Sequence, residues 1–450
     1  MTTNSYKIIE QEIDSDGNID GYGNIDGFGN MNVNRYEHRD SYDNMNIDNY
    51  ESTNTDDYDE QTSLLKNNNK ESSPNTDIQI DIETKTKNNT KPKRVYWVDW
   101  LRIFASILVV YIHVSYMYMD RGKVKSDKWN NIHNSLPRHC VPMFVMISGI
   151  FFLNPEKELT FKKLYKKYLL HIVKSLFFWA VYYAIVDNLI IRNRSKITFD
   201  KKLIKNTIDQ MIEPCDHFWY LHFVIGLYVA TSIYRCMTKE RNIAWYAAAL
   251  SMLYGQLIPT INKITNDFFH FKISYLNFFY SKIFIELTGN YSVYYLLGYL
   301  LSSHEFSKKS HIISLCVIGL VSQTITVIFR FMECYIKNKE ANNFGDYNSF
   351  FVSLTTIGTF IFFKYYLNLI IEPLMEKGWI KKLILKLSEC SFGVYLVHVT
   401  VFNIVHFCFN LGPTTFDPLW FIPIYTILIY ILSFILIYLL RLIPIFKQVT

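Results

Sequence analysis

The sequence predicts an all-α protein, a polytopic membrane helix bundle of about ten transmembrane helices behind a disordered N-terminal tail. Three observations predict it. The 450 residues are 50% hydrophobic and 17% aromatic, yet the mean hydropathy is only +0.06. Of the 46 Lys+Arg and 40 Asp+Glu, residues 1–94 hold 10 and 19, a net of −9, which leaves 95–450 with a net of +15. Residues 95–450 also hold all 8 Trp and all 7 Cys, and they run repeatedly through apolar stretches of about twenty residues, the length that crosses a hydrocarbon core of roughly 30 Å. A soluble globular enzyme and a secreted disulfide scaffold are both disfavoured. The overall charge of +6 is the sum of two opposed segments, so it gives no reason to expect nucleic acid as a partner.

Residues 1–94 read as a solvated, acidic, Asn-rich tail on the cytosolic side. The stretch Gly17-Asn18-Ile19-Asp20-Gly21-Tyr22 recurs as Gly23-Asn24-Ile25-Asp26-Gly27-Phe28. A polar hexad of this kind buries too little apolar surface to offset the entropy of ordering. Met1 to Glu10 lacks the basic-then-apolar pattern of a signal peptide, so the first span is expected to act as its own signal.

The transmembrane domain is placed at 95–450. Its spans are expected near 96–118, 139–153, 169–191, 217–237, 243–261, 283–303, 311–331, 347–371, 389–410 and 419–441. If the tail is cytosolic, loops 154–168, 238–242, 304–310, 372–388 and 442–450 share its side. Total basic counts barely separate the two sets of loops, but density does. Lys157, Lys162, Lys163, Lys166 and Lys167 crowd one short loop, Lys377, Lys381, Lys382 and Lys386 another, and Lys91, Lys93 and Arg94 flank the first span. Both termini are therefore expected in the cytosol. The sequon Asn193-Arg194-Ser195 falls in an outer loop and agrees; Asn290-Tyr291-Ser292 is a second, set deeper. The cysteines stand singly, without metal spacing, and read mainly as buried thiols, with one disulfide among Cys140, Cys215 and Cys334 as the alternative. No metal site is expected.

An ionisable side chain at mid-span costs at least ~2.5–3.5 kcal/mol, so it normally faces the bundle interior. The first span carries Asp99, Arg102 and His113 on one helical face, together with Ser106. Arg102 and His113 stand three turns apart, ~16 Å along the axis, and so line one cavity at two depths. Asp99 and Arg102 are close enough to pair as i,i+3 neighbours, or to serve as interfacial anchors. A neutral histidine in an apolar span can act as a base near neutral pH, which makes His113 the candidate. Four further clusters stand out: Val141-Pro142 through Ser148-Gly149, which suits close helix packing; His217-Phe218-Trp219-Tyr220-Leu221-His222, which reads as an aromatic belt; Ser391-Phe392-Gly393-Val394-Tyr395-Leu396-Val397-His398, whose Tyr395 and His398 share a face; and His171 with Lys174 after the lysine-rich loop.

In order and wording these pieces resemble the acyltransferase-3 family of integral-membrane O-acyltransferases. The resemblance covers essentially all of 95–450. It rests on Asp99-Trp100-Leu101-Arg102 followed by His113, on Val141-Pro142 through Ser148-Gly149, on Trp219-Tyr220-Leu221 leading into Gly226-Leu227-Tyr228, and on Ser391-Phe392-Gly393 with Tyr395-Leu396 and His398. It implies an acyl-CoA donor, usually acetyl-CoA, reached from the cytosol, and an acceptor hydroxyl, commonly on a carbohydrate, on the far side. It also implies that Arg102 and His113 are the functional pair of the first span. One departure is clear. Members commonly carry two arginines three apart near the start of the third span, where this chain has Tyr168 and His171, with Lys166, Lys167 and Lys174 nearby. Lysine meets phosphate as a point charge, without the bidentate fork of arginine.

The expected function is transfer of an acyl, usually acetyl, group from acyl-CoA to a hydroxyl. His113 is expected as the base or transient acyl carrier, with Asp99 and Arg102 orienting the first helix or holding an anionic part of the donor. His398 and Tyr395 are expected to steady the oxyanion or the acceptor, and Lys166, Lys167, His171 and Lys174 to meet coenzyme A. The rival expectation is a transporter or lipid-handling protein of the same fold without the chemistry, since intramembrane Arg and His also line substrate paths. A scaffold working through the acidic tail is a third.

Overall fold

The computed structural model describes residues 94–121, 128–186, 201–212, 216–271, 273–274, 282, 291–337 and 344–450. The expected tail, both sequons' asparagines and Cys215 lie outside the described residues. All regular structure among the described residues is helical. In chain order the helices are α1 (Tyr96–Arg121), α2 (Lys128–Ser135), α3 (Cys140–Phe152), α4 (Phe161–Ile185), α5 (Lys201–Ile212), α6 (Trp219–Lys239), α7 (Arg241–Met252), α8 (Ile258–Phe268), α9 (Ser292–Ser303), α10 (Lys309–Lys337), α11 (Phe350–Leu374), α12 (Gly378–Phe409), α13 (Pro418–Leu440) and a last turn, α14 (Pro444–Lys447).

Seven segments among the described residues are long and apolar enough to cross a membrane: Tyr96–Tyr118, Asn131–Phe152, Phe161–Ile185, Lys309–Lys337, Phe350–Leu374, Gly378–Phe409 and Pro418–Leu440. The expected spans at 217–237 and 243–261 are helical, as α6 and α7–α8, but are not among these seven. Of 283–303 the structure describes chiefly α9, 12 residues long. The second span is longer than the sequence suggests, because α2, a turn of 3-10 helix at Leu136–His139 and α3 run on from one another. Pro137 and Pro142 sit in first turns, where a missing N–H costs nothing.

α1 lies at the centre, with 67% of its apolar window buried against 22% for α10. It packs on α3, α12 and α13. Backbone contact is closest between α3 and α9. A Cβ on Gly149 would stand 2.0 Å from the Tyr295 carbonyl oxygen, and one on Gly298 2.0 Å from that of Met146. Only glycine admits this approach, which is the packing anticipated from Ser148-Gly149.

The lysine-rich end is held by polar caps. From α6, the Arg235 guanidinium donates to the carbonyls of Phe152 and Asn154, both at 2.8 Å, and of Lys157 at 2.7 Å, while Thr238 Oγ1 donates to Leu153 at 2.8 Å. The Phe152 and Leu153 carbonyls are ones a helix C-terminus leaves unpaired, and those of Asn154 and Lys157 belong to the loop that follows. Lys381 Nζ lies 5.4 Å from the Tyr96 ring centroid and Lys157 Nζ 5.9 Å from that of Phe151. The start of α1, the loop before α4 and the start of α12 thus gather at one end of the bundle. At the other end, α12 stops at Asn410, which takes the left-handed conformation (φ 50°) that asparagine tolerates well. α13 starts on Asp417, whose carboxylate accepts from the Leu419 N–H, with Pro418 in the first turn.

Candidate active site

Asp99 lies in the first turn of α1, where the helix dipole favours an anion. It is buried, and its carboxylate accepts from Arg94 Nε and Nη2, both at 2.9 Å, and from Ser388 Oγ of α12 at 2.7 Å. Arg102 Nη1 donates to the same Ser388 Oγ at 3.3 Å, and the guanidinium lies 5.5 Å from the Phe151 ring centroid. Asp99 and Arg102 are therefore joined through Ser388, and the close ionic partner of Asp99 is Arg94, outside the helix. A helical i,i+3 spacing made a direct pair sterically available; the hydroxyl from α12 intervenes. Ser106 is buried and joins α1 to α13: its hydroxyl donates to the Ile103 carbonyl at 2.8 Å and accepts from the Tyr430 hydroxyl at 3.0 Å.

Deeper along α1, His113 meets two other histidines from distant segments. Its ring centroid is 4.7 Å from that of His398 on α12 and 6.2 Å from that of His217, just before α6. His217 and His398 are 5.7 Å apart. All three pairs meet edge to face, at 61°, 81° and 75°. His113 Nδ1 is 2.7 Å from the Val109 carbonyl oxygen, and His398 Nδ1 is 2.7 Å from that of Tyr395. A carbonyl only accepts, so in both rings Nδ1 carries the proton and Nε2 keeps its lone pair. His398 is 2% exposed and its Nε2 has no hydrogen-bond partner. His113, by contrast, keeps intermediate exposure within a central helix. The two imidazoles sit side by side, His398 enclosed and His113 of intermediate burial. Tyr395 spends its hydroxyl on the His217 carbonyl at 2.5 Å, so it clamps the start of α6 to α12 and is not free to donate to an oxyanion. Among the described residues no group of three or more His, Cys, Asp or Glu is arranged to hold a metal ion.

The basic residues assemble separately. Lys166, Lys167, His171 and Lys174 line one open groove of about 600 Å³ with Thr160, Lys162, Lys163, Leu170 and Gln448. A π-helical stretch, Leu164–Leu169, forms part of this wall; such bulges recur at functional sites. Five lysines on one groove make a strongly cationic surface. Tyr168 packs edge-on to Phe152 at 4.9 Å. His171 is 5.8 Å from Phe392. From there the rings continue: Phe392 to Tyr395 at 6.3 Å, Tyr395 to His398 at 6.3 Å, and on to His113. A file of rings on α12 therefore runs from the groove to the histidines.

The expected residues form three stations, with Asp99 and Arg102 at the start of α1, the lysines and His171 at the groove, and His113, His398 and Tyr395 at the histidine cluster. Two members escaped the sequence reading. Ser388 lies one turn before Ser391 and carries no signal of its own. His217 sits in an aromatic run that reads as an interfacial belt; its pairing with residues 104 and 181 positions away is purely tertiary.

A family model described as an acyltransferase domain, that of the acyltransferase-3 family, matches residues 95–438, more than two thirds of the chain. No curated protein and no solved structure gives a significant match. On the match across its whole helical body, the chain belongs to the acyltransferase-3 family and is a membrane-embedded acyltransferase.

Proposed function

We propose that the protein transfers an acyl group, acetyl in the simplest case, from acyl-CoA to a hydroxyl of a carbohydrate or similar acceptor, with His113 as the general base. The observation that carries this reading is the His113 imidazole, whose Nδ1 is engaged by the Val109 carbonyl at 2.7 Å so that Nε2 is the nitrogen left to act as base, beside the enclosed His398. A hydroxyl is a poor nucleophile at neutral pH and needs a base within reach. His113 Nε2 takes the hydroxyl proton as the oxygen attacks the thioester carbonyl. Collapse of the tetrahedral intermediate breaks the carbon–sulfur bond, and the imidazolium returns the proton to the departing thiolate. The His398 lone pair, one ring away, steadies the imidazolium in between.

The lysine groove fits the donor's phosphates as a set of point charges. It is open, as a site for a soluble anionic substrate must be, and it lies at the end of the bundle gathered around the basic loops, which on charge density is the cytosolic end. Arg102, Asp99 and Ser388 fix the start of α1 against α12. The test is acetyl transfer from acetyl-labelled acetyl-CoA in membranes holding the full chain. His113→Ala is expected to lower turnover by about 10²–10⁴-fold, the usual worth of a general base. Unchanged turnover in a correctly inserted variant refutes the assignment.

A further inference from the structure

The histidine cluster has a third member that the mechanism above leaves idle. His217 is 7% exposed, and its Nε2 is buried without a hydrogen-bond partner. Leaving a buried polar atom unmatched costs about 1–3 kcal/mol, and such atoms in a native fold call for a reason. Its surroundings are built to hold it. The ring meets Tyr183 edge-on at 5.2 Å and Phe218 at 4.2 Å, and its backbone carbonyl is gripped by Tyr395. Tyr183 is itself anchored to α12, donating to the Leu396 carbonyl at 2.9 Å and accepting from Thr400 at 3.1 Å. An imidazole clamped from three sides, with one nitrogen unmatched, is pre-organised for a ligand that arrives later.

Its place along the bundle indicates which ligand. His217 stands at the start of α6, and the far end of α6 carries Arg235 and Thr238, which cap the lysine-rich end. Twenty-one residues of helix separate the two ends, ~31 Å at 1.5 Å per residue. The donor groove is at the Arg235 end; His217 closes the histidine cluster from the opposite side. We propose that His217 is a positioning residue for the acceptor, its Nε2–H donating to the oxygen of the incoming hydroxyl so that the hydroxyl's own proton is directed towards His113. This rests on the acyl-transfer reading above.

The experiment separates transfer to the acceptor from loss of the acyl group to water. Permeabilised membranes of cells making the full chain are given acetyl-labelled acetyl-CoA, and label is measured in membrane glycans and lipids and as free acetate. The wild type gives both products, and His113→Ala neither. His217→Ala keeps acetate release within about twofold while the ratio of transfer to release falls at least about tenfold, the worth of one hydrogen bond at a reacting group. His217→Gln, which retains a side-chain hydrogen-bonding group, recovers part of the ratio. A His217→Ala ratio equal to wild type, or both products falling together with no recovery in His217→Gln, overturns the proposal. If His217→Ala fails to insert, Tyr395→Phe keeps the imidazole but frees its backbone; the ratio is expected to fall there too, and an unchanged ratio overturns the proposal. A wild type yielding neither product instead removes the acyl-transfer reading and the proposal with it.

Discussion

Replacing Gly298 by alanine adds one methyl group at the place where α9 crosses α3, and the structure sets the size of the effect. The new Cβ would lie 2.0 Å from the Met146 carbonyl oxygen and 2.6 Å from the Met146 Cα, whereas such contacts essentially never fall under 3.0 Å, so the helices must part by at least about 1.0 Å. Both sides of the contact are backbone, so no rotamer can absorb the shift. Overpacking typically costs 1–3 kcal/mol, and the absence of a yielding side chain puts this case at the upper end, about 3 kcal/mol. At about 2.1 cal/mol/K of unfolding entropy per residue, the 356 residues of 95–450 give about 0.75 kcal/mol/K, so the melting midpoint should drop by about 4 °C. The assay is thermal unfolding of the detergent-purified full chain, followed by tryptophan fluorescence and by the monodisperse fraction on size exclusion. Gly226→Ala is the built-in control, because a Cβ there meets nothing within 4 Å. That variant removes the helix penalty of glycine, worth about 1 kcal/mol, and should be neutral or stabilising. Equal midpoints for the two variants would refute the claim that α3 and α9 meet backbone to backbone.

Three further outcomes are expected. Reversing charge in the groove with Lys166→Glu, Lys167→Glu and Lys174→Glu together should raise the acetyl-CoA KM at least about tenfold with little change in kcat, and raising salt from 50 to 500 mM should weaken wild-type donor binding in the same direction, since exposed charges are screened; a salt-independent KM would place the donor elsewhere. Ser388→Ala removes the hydroxyl shared by Asp99 and Arg102 and should cost about 1.5–3 kcal/mol, the range for hydrogen bonds to charged groups, read as a lowered midpoint that Ser388→Thr largely restores. Arg94→Ala strips the bidentate partner from the buried Asp99 carboxylate and should cost at least as much as Ser388→Ala, about 1.5–3 kcal/mol, so a loss well below that of Ser388→Ala would refute the ion pair.

Much of this protein was legible in residue order. Membrane crossing is a property of contiguous sequence, because every backbone N–H and C=O in hydrocarbon must be paired within the helix and every side chain must be apolar enough to stay. The runs at 96–118, 311–331, 347–371, 389–410 and 419–441 correspond to spans for that reason. The runs at 217–237 and 243–261 met the same expectation less well. α6 carries Arg235, whose charge serves as a cap for α3 and lowers the hydropathy of the helix, and α7–α8 holds polar residues such as Gln256 and Thr260, which hydrogen-bond to α11. The lysine groove was readable too, because Lys162, Lys163, Lys166, Lys167, His171 and Lys174 follow one another along a single segment.

Residue order alone determined that this is a helical membrane protein with a polar stripe on its first span and a lysine-rich loop, since those features depend on nearest neighbours and on helical period. Tertiary structure alone decided what the stripe touches. Asp99 looks as near to Arg102 as to any charge, yet Ser388 of α12 stands between them and Arg94 takes the ion pair. His217 looks like one more aromatic of an interfacial belt until the fold brings it within 6.2 Å of His113 and 5.7 Å of His398. These contacts join helices that meet only by packing side chain against side chain, and that pairing is set by the shape of the assembled bundle, which no local period encodes.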